Sequence, residues 1–405
     1  MLFCDPCAAT ADAEEFENMK HARSKVRLFV RVRPLLPLEK ESGYKSCITF
    51  SRANSITCRN EREEREKTWE FDKVFKPTSS NEDVFAEIKD LVASVADGYN
   101  ACIFAYGQTG AGKKFTMRVQ SDSDTGIIMR AVRALFAATQ QREKQFKSTV
   151  SMSVMSIRNG RVHDMMKPAR RGAISNLKIK KSPNGNYVKG LTVVEVTSGK
   201  EVHDRYRDAI KNFRVACTTR TRISDRTSRH HRVLSLYLTC RDKLSGNTLR
   251  GKLHAVILAG SEQVSKRFLT GDGLKEYENA QRSLSALWYV LRAWDNQDRL
   301  VPYRYSKLTC ALEDSLSGDS EAVVIAHINP VRYCSRIVGD ILSRDGGWGR
   351  VSFCVVLGIH SVVPHPPEHS RPHSPSTMLT KVSGHLTTCA DYTRFMYVHV
   401  VVSAG

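Results

Sequence analysis

The residues best placed to do chemistry are Gly107, Gln108, Thr109, Gly110, Ala111, Gly112 and Lys113. They form a G-x-x-x-x-G-K loop directly after the apolar run Ile103-Phe-Ala-Tyr106, and Phe115-Thr-Met117 follows within the next turn. Such a loop lets backbone N–H groups turn inward around phosphate oxygens. A helix starting at its end adds a positive dipole, and the lysine offsets the charge of the terminal phosphates. A glycine turn in an ordinary sheet is the plainer alternative, and the apolar strand in front of the loop argues against it. The pattern next calls for Ser or Thr, whose hydroxyl binds Mg2+; here the position is Lys114.

An α/β fold would position this loop. Val26–Arg33 alternates apolar and basic residues as a strand does and is stopped by Pro34 and Pro37. Residues 98–106, 148–157, 233–240, 251–258 and 322–328 read as further strands, several of them apolar throughout. Strands also fit 69–75 and parts of 177–196, with a turn at Pro183-Asn-Gly185. Helical periodicity covers 81–96, capped by Ser80 or Asn81, then 126–140, 202–216, 274–294 and 308–315. Alternating elements with doubly apolar strands predict a mixed, largely parallel sheet with helices on both faces. Residues 1–24 are expected to be a short, neck-like, poorly structured segment, 25–345 the main domain, and 346–405 a divergent, flexible tail rich in Pro, His and Ser between 364 and 376.

Composition narrows the function classes. The chain has 405 residues, 41% hydrophobic and 26% charged, which supports a sizeable core. A net charge of +20 points to a polyanionic partner: nucleic acid, an anionic membrane or an acidic protein surface. Eleven irregularly spaced cysteines argue against a disulfide framework, and Cys4-x-x-Cys7 has no second pair at zinc spacing. Reduced thiols and an intracellular location are expected. Met1–Glu15 lacks the pattern of a signal peptide, and Val351–Ile359 is too short to span a bilayer.

The run Asp97-Gly-Tyr-Asn-Ala-Cys-Ile-Phe-Ala-Tyr-Gly-Gln-Thr-Gly-Ala-Gly-Lys113 resembles the phosphate loop and preceding strand of the kinesin motor family. Other kinesin-like blocks follow in order. They are Val30-Arg-Val-Arg33-Pro34 beside the adenine, Gly126–Ala131 with Met129 where proline is usual, Thr227-Ser-Arg-His-His231 as switch I and Leu258-Ala-Gly-Ser-Glu262 as switch II. Ser283–Leu287, Val301–Thr309 and Asp314–Gly318 resemble the long microtubule-facing helix and the segments after it. The wording around 97–106 is most similar to the C-terminal-motor, minus-end-directed kinesins.

The resemblance implies a P-loop NTPase fold with ATP or ADP as ligand, held by the loop through Lys113 and Lys114 and bordered by Arg31, Arg33 and Pro34. It makes Ser228, Arg229, Gly260 and Glu262 the switch residues, with Arg229 and Glu262 as the pair that joins the two switches. It makes microtubules the partner, contacted through Arg282, Arg304 and Lys307, and it implies a cytoplasmic, cytoskeletal location. No membrane and no nucleic-acid partner is expected. For each basic residue, and for the Arg229–Glu262 pair, an ordinary solvated surface role is the competing reading.

The departures concern the metal. Such a motor holds Mg2+ through the loop hydroxyl and, indirectly, through an aspartate before switch II; these positions are Lys114 and Ile257. No metal ligand set is therefore expected, Mg2+ is in question, and hydrolysis is expected to be weak or absent. The role implied is a passive tether or the inactive half of a heterodimer with an active kinesin. Ser224 and His230 also depart from switch I, and Gln281 and Trp288 from the long helix, where Trp288 is expected to alter the helix's fit on tubulin. Ile337, Val338 and Arg344 degrade the last helix. Three alternatives remain open: an active motor in which Lys114 replaces the magnesium charge, a basic nucleic-acid-binding P-loop module, and a decaying gene product that folds poorly.

Overall fold

The computed structural model describes residues 26–60, 65–119, 125–168, 176–182, 185–217, 229–262, 271–318 and 320–331. Expectations for the N-terminal segment, Ser224, Thr227, Ser228, the degraded last helix and the tail lie outside the described residues.

The described residues open with β1 (Val26–Val32) and α1 (Pro37–Glu41), followed by β2 (Ile48–Arg52), β3 (Ser55–Asn60), β4 (Arg65–Glu70) and β5 (Lys73–Phe75). Two short helices, α2 (Asn81–Ala86) and α3 (Lys89–Ser94), precede β6 (Asn100–Gly107), the one-turn α4 (Lys113–Thr116) and α5 (Ile127–Gln141). Next come β7 (Phe146–Arg158), β8 (Arg161–Asp164), β9 (Ile179–Ser182), β10 (Gly185–Val188), β11 (Val194–Glu195) and α6 (Gly199–Cys217). The series closes with β12 (His231–Asp242), β13 (Thr248–Ile257), α7 (Gly271–Asp295), α8 (Lys307–Ala311) and β14 (Glu321–Ile328).

The main sheet has the order β11-β7-β12-β13-β6-β14-β1-β5, with β8 added to β7. From β13 to β5 the pairs are parallel, and β7, β12 and β13 pair antiparallel. The sheet is thus mixed, as expected from sequence. Alternation along β6 divides the core. Ala101, Ile103 and Ala105 join the apolar cluster that includes residues of α5 and α6, while Cys102, Phe104 and Tyr106 join the one that includes residues of α7 and α8. Both faces of β6 are covered, which is why its sequence reads as a continuous apolar run.

Some elements differ from the sequence reading. The expected strand at 69–75 is split, β4 joining a small antiparallel sheet with β2 and β3 and β5 joining the main sheet. The small sheet and β8 carry too many polar residues to show a clear pattern. The helix expected over 81–96 breaks at Glu87–Ile88. There the Arg27 guanidinium donates to the Glu87 carbonyl at 3.1 Å, and Lys73 pairs with the Glu87 carboxylate, so tertiary partners replace the helical ones. The Ser80 cap forms as expected, its hydroxyl accepting from the Asp83 N–H at 3.1 Å. The helix expected at 308–315 covers only α8, followed by a 3-10 turn at Glu313–Ser315.

Among the described residues His163, His231, His254 and His327 are buried, and the last three carry large shifts. Burial pushes His231 and His327 down to about 3, with Lys113 adding to both shifts, and His254 down to about 4. All three are neutral in the folded protein at pH 5 and above. In the unfolded chain they protonate below about pH 6.5. The unfolded state therefore binds more protons as the pH falls, and stability falls with it, by up to ~1.4 kcal/mol per pH unit for each histidine. Denaturant unfolding at pH 7.5, 6 and 5 is expected to show a loss of several kcal/mol below pH 6.5. A flat profile would contradict the buried, neutral assignment.

Candidate functional site

The phosphate loop hangs between two parallel neighbours. The carboxyl end of β6 lies between β13 and β14, so the segment after β13 and the end of β14 both border the loop. The Leu258 N–H donates to the Ala105 carbonyl at 3.1 Å and the Ser261 N–H to the Gly107 carbonyl at 3.2 Å, which carries residues 258–261 alongside it. Gly107 has φ +131°, and a Cβ there would stand 2.3 Å from the His327 carbonyl oxygen. Both the backbone conformation and the close approach of β14 require glycine at this position. Gly110 and Gly112 also have positive φ.

Beneath the loop lies a network of buried side chains. The Thr116 hydroxyl accepts from Arg31 Nη1 at 2.8 Å and donates to His327 Nε2 at 2.7 Å. His327 Nδ1 is 2.9 Å from the Ile325 carbonyl and 3.2 Å from the Tyr106 carbonyl, so Nδ1 carries the proton. Arg31 Nη1 also donates to Asn81 Oδ1 at 2.6 Å, and Nη2 to the Ser79 carbonyl at 3.0 Å. Arg31 is thus an internal strut joining β1, α2 and α4, where the sequence reading placed it beside a ligand. Arg33 likewise forms a bidentate ion pair with Glu39 at 2.5 and 2.7 Å and donates to the Pro34 carbonyl. Pro34 is exposed.

Lys113 is buried, and its ammonium donates to the Gln108 carbonyl at 2.8 Å and to the Gly107 carbonyl. Burial pushes it down to about 8, against the pull of the Glu262 carboxylate and with the Lys114 charge adding to the fall. Lys114 is exposed on the single turn of α4. Its charge is also one of those that, after burial, Arg232 and Arg158, hold buried His230 well below the usual histidine range. Lys114 therefore stands within electrostatic reach of both the loop lysine and the start of β12.

Arg229 and Glu262 form no ion pair, contrary to the latch expected from sequence. The Glu262 carboxylate instead accepts from the Thr109 N–H at 2.9 Å and from the Thr109 hydroxyl at 2.7 Å. Arg229 Nη1 is buried without a hydrogen-bond partner among the described residues. Gln281 of α7 donates to the Gly260 carbonyl at 3.3 Å, a contact that ties the long helix to the segment beside the loop. His231 Nδ1 accepts the Ala259 N–H at 3.2 Å and holds the same segment from β12.

These residues do not fit a magnesium ion. Ile257 is buried in the apolar cluster that also contains Met117. Thr116, the nearest hydroxyl along α4, is committed to Arg31 and His327. The carboxylate at the loop, Glu262, is held by Thr109. No group of three His, Cys, Asp or Glu side chains able to hold a metal occurs among the described residues. Hard divalent cations need several oxygen ligands in fixed geometry.

Arg282, Arg304 and Lys307 are all exposed. Burial and the Glu313 carboxylate push the Cys310 thiol up, and the charges of Lys307, Lys181 and Arg304 oppose that rise. Lys181 arrives there because the β9–β10 hairpin docks on α8. Asn186 donates to the Cys310 carbonyl at 2.6 Å, and Lys181 pairs with Glu313 at 2.9 Å. Sequence reasoning missed Lys181, although the run Lys178-Ile-Lys-Lys181 is visibly basic. It also missed His327 and the Thr109–Glu262 contact, for which no local signal exists. Trp288 is buried and packs edge-on against Tyr106, with ring centroids 4.9 Å apart. It joins α7 to the strand that carries the loop.

The sequence matches the kinesin motor domain family over residues 31–337. It is 37% identical over 321 residues to the kinesin-like protein KIN-14I of Arabidopsis thaliana, covering 78% of this chain and 32% of that one. The chain thus spans about a third of the length of the curated relatives it matches. Among solved structures, it is similar to a fast kinesin (TM-score 0.69, 34% identity, 77% of this chain and 87% of that one). It is also similar to the C-terminal motor and motor homology domain of Kar3Vik1 fused to a synthetic heterodimeric coiled coil (TM-score 0.68, 28% identity, 82% and 86%).

The Arg31–Thr116–His327 network yields a test. Replacing Thr116 with valine keeps the shape but leaves a buried guanidinium N–H and a buried imidazole nitrogen short of a partner. Thr116→Val is expected to cost about 2–4 kcal/mol in unfolding free energy. A loss below about 0.5 kcal/mol would show that the network does not support the loop.

Proposed function

This chain belongs to the kinesin motor domain family, and from that premise we propose that it is a nucleotide-binding, microtubule-binding kinesin relative with weak or absent ATP hydrolysis. The observation that carries the reading is the pair Lys114 and Ile257, an ammonium and a buried apolar side chain where the magnesium ligands would stand. Phosphoryl transfer is driven largely by electrostatic stabilisation of charge on the transferring group. A loop that keeps its glycines and Lys113 retains the means to hold phosphates, while the loss of the ion removes the largest share of that stabilisation.

In this reading ATP or ADP sits over Gly107–Lys113, with Pro34 at the base side. Lys113 leaves the Gly107 and Gln108 carbonyls for the phosphates, and the Thr109 N–H is released by Glu262. Gly260, Arg229 and Ser228 supply the sensing segments. Arg282, Arg304, Lys307 and Lys181 offer positive charge to the acidic tubulin surface, in keeping with the net charge of +20. A cytoskeletal location follows from that partner. Among the described residues no helix is long and apolar enough to cross a membrane. Similarity to the Kar3Vik1 structure, which pairs a motor with a motor homology domain, supports a role as the non-hydrolysing half of a heterodimer with an active kinesin.

An active motor is the second reading, favoured by retention of Lys113, Gly260, Arg229 and Glu262. Steady-state ATPase assays and cosedimentation of the full chain separate the two. The proposal predicts binding to microtubules at low salt, weakened roughly tenfold by the double change Arg304→Glu and Lys307→Glu, with turnover below about 0.1 per second even at saturating microtubules. Turnover of about 10 per second, stimulated by microtubules, would establish the second reading. Absence of cosedimentation at low salt would remove the microtubule assignment.

A further inference from the structure

We propose that Cys47 and Cys58 form a reversible disulfide, made and broken by exchange with a small-molecule disulfide such as oxidised glutathione, that locks the small antiparallel sheet onto the end of β14. The proposal does not depend on the nucleotide reading.

The two sulfurs already touch. Cys58 Sγ lies 3.8 Å from Cys47 Sγ in a thiol–thiol hydrogen bond, and both side chains are thiols in this structure. The contact follows from the strand register. Cys58 of β3 pairs with Ile48 of β2, and Cys47 is the residue just before Ile48. A disulfide needs its sulfurs about 2.05 Å apart, so ~1.8 Å of approach remains. That distance is within the sweep of a cysteine side chain turning about its Cα–Cβ bond. Access is unequal: Cys58 is buried and Cys47 half-buried, so Cys47 is the thiol that an external disulfide meets first. The hydrogen bond from Cys47 holds the Cys58 thiol below the ordinary cysteine range against the opposing effect of burial, whereas buried Cys102 is pushed up. A thiol that ionises more readily is the better attacking group for the second step.

Cys47 also sits where the small sheet meets the main one. Its N–H donates to the Pro330 carbonyl at 2.9 Å, and Ser46 forms a β-bridge with Val331. Pro330 and Val331 follow directly after Asn329 at the end of β14. A covalent bond from Cys47 to β3 closes a loop over residues 47–58 and restricts the Ser46–Cys47 segment against leaving Pro330. In the first step the Cys47 thiolate attacks one sulfur of oxidised glutathione, forming a mixed disulfide and releasing one glutathione thiolate. The Cys58 thiolate then attacks the Cys47 sulfur, forming the protein disulfide and releasing the second glutathione. The protons given up by the two cysteines end on the two glutathione thiols, so two protein thiols are oxidised and one glutathione disulfide is reduced. An excess of reduced glutathione runs both steps backwards.

The test exposes the full chain to oxidised or to reduced glutathione. Non-reducing digestion with mass spectrometry, thermal melting and amide hydrogen exchange then read the product. The oxidised sample is expected to yield a Cys47–Cys58 linked peptide and a melting temperature higher by roughly 3–5 °C. Exchange of the Cys47 amide is expected to slow roughly tenfold. Dithiothreitol should reverse all of these changes. Cys47→Ser keeps the hydrogen-bonding atom at a half-buried position, so it should fold and show none of them. Oxidation that leaves only a glutathione adduct on Cys47, or that links either cysteine to a different one, would overturn the proposal. So would a Cys47→Ser protein with the same rise in melting temperature, because the rise would then come from other thiols. Unchanged exchange at Cys47 in the linked protein would overturn the lock onto β14.

Discussion

The buried hydroxyl of Thr116, held between the Arg31 guanidinium and the neutral His327 ring, is the interaction on which the rest of the site depends. It joins β1, α4 and β14, three elements far apart in sequence, directly under the phosphate loop. A fully buried guanidinium is stable only when its donors are used, and Asn81, Ser79 and Thr116 use them. His327 must be neutral to accept from Thr116, and its burial keeps it so. The close approach of the His327 carbonyl then fixes Gly107 in its glycine-only conformation. The loop's shape is thus set from below by this network and from the side by the Ser261–Gly107 and Thr109–Glu262 hydrogen bonds.

What the loop does with that shape is decided by charge. The framework that would support phosphates is intact, from the strand to the glycines and Lys113. The groups that would support a divalent cation are replaced by an ammonium and a buried aliphatic chain. Scaffold and catalysis are therefore separable here. The scaffold depends on packing and backbone geometry, while the metal chemistry would depend on the side chains at two positions, exposed Lys114 and core Ile257. The Trp288–Tyr106 contact and the Gln281–Gly260 hydrogen bond still connect the long helix to the loop.

Much of this was legible from sequence. Apolar runs gave β6, β13 and β14, periodicity gave α5 and α7, and the loop announced itself through glycine spacing. The failures share a cause: they depend on partners distant in the chain. Nothing near Glu87 shows that Arg27 will take its carbonyl and end α2. The strands of the small sheet are polar enough to hide: the apolar side chains they bury are Ile48, Ile56, Cys58 and Trp69, and Ser55 and Thr57 are buried beside them. Arg31 and Arg33 looked like ligand-facing residues because they lie in the right block, yet both are consumed internally. Glu262 looked like a partner for Arg229, yet Thr109 holds it.

The claim that this site cannot hold the ion is tested most directly by electron paramagnetic resonance with Mn2+ in place of Mg2+, added to the full chain with saturating ADP. The account predicts that all the manganese will be present as the free ion or as its ADP complex in solution. Stoichiometric manganese bound to the protein–ADP complex would contradict it, and would mean that the loop finds metal ligands despite Lys114 and Ile257.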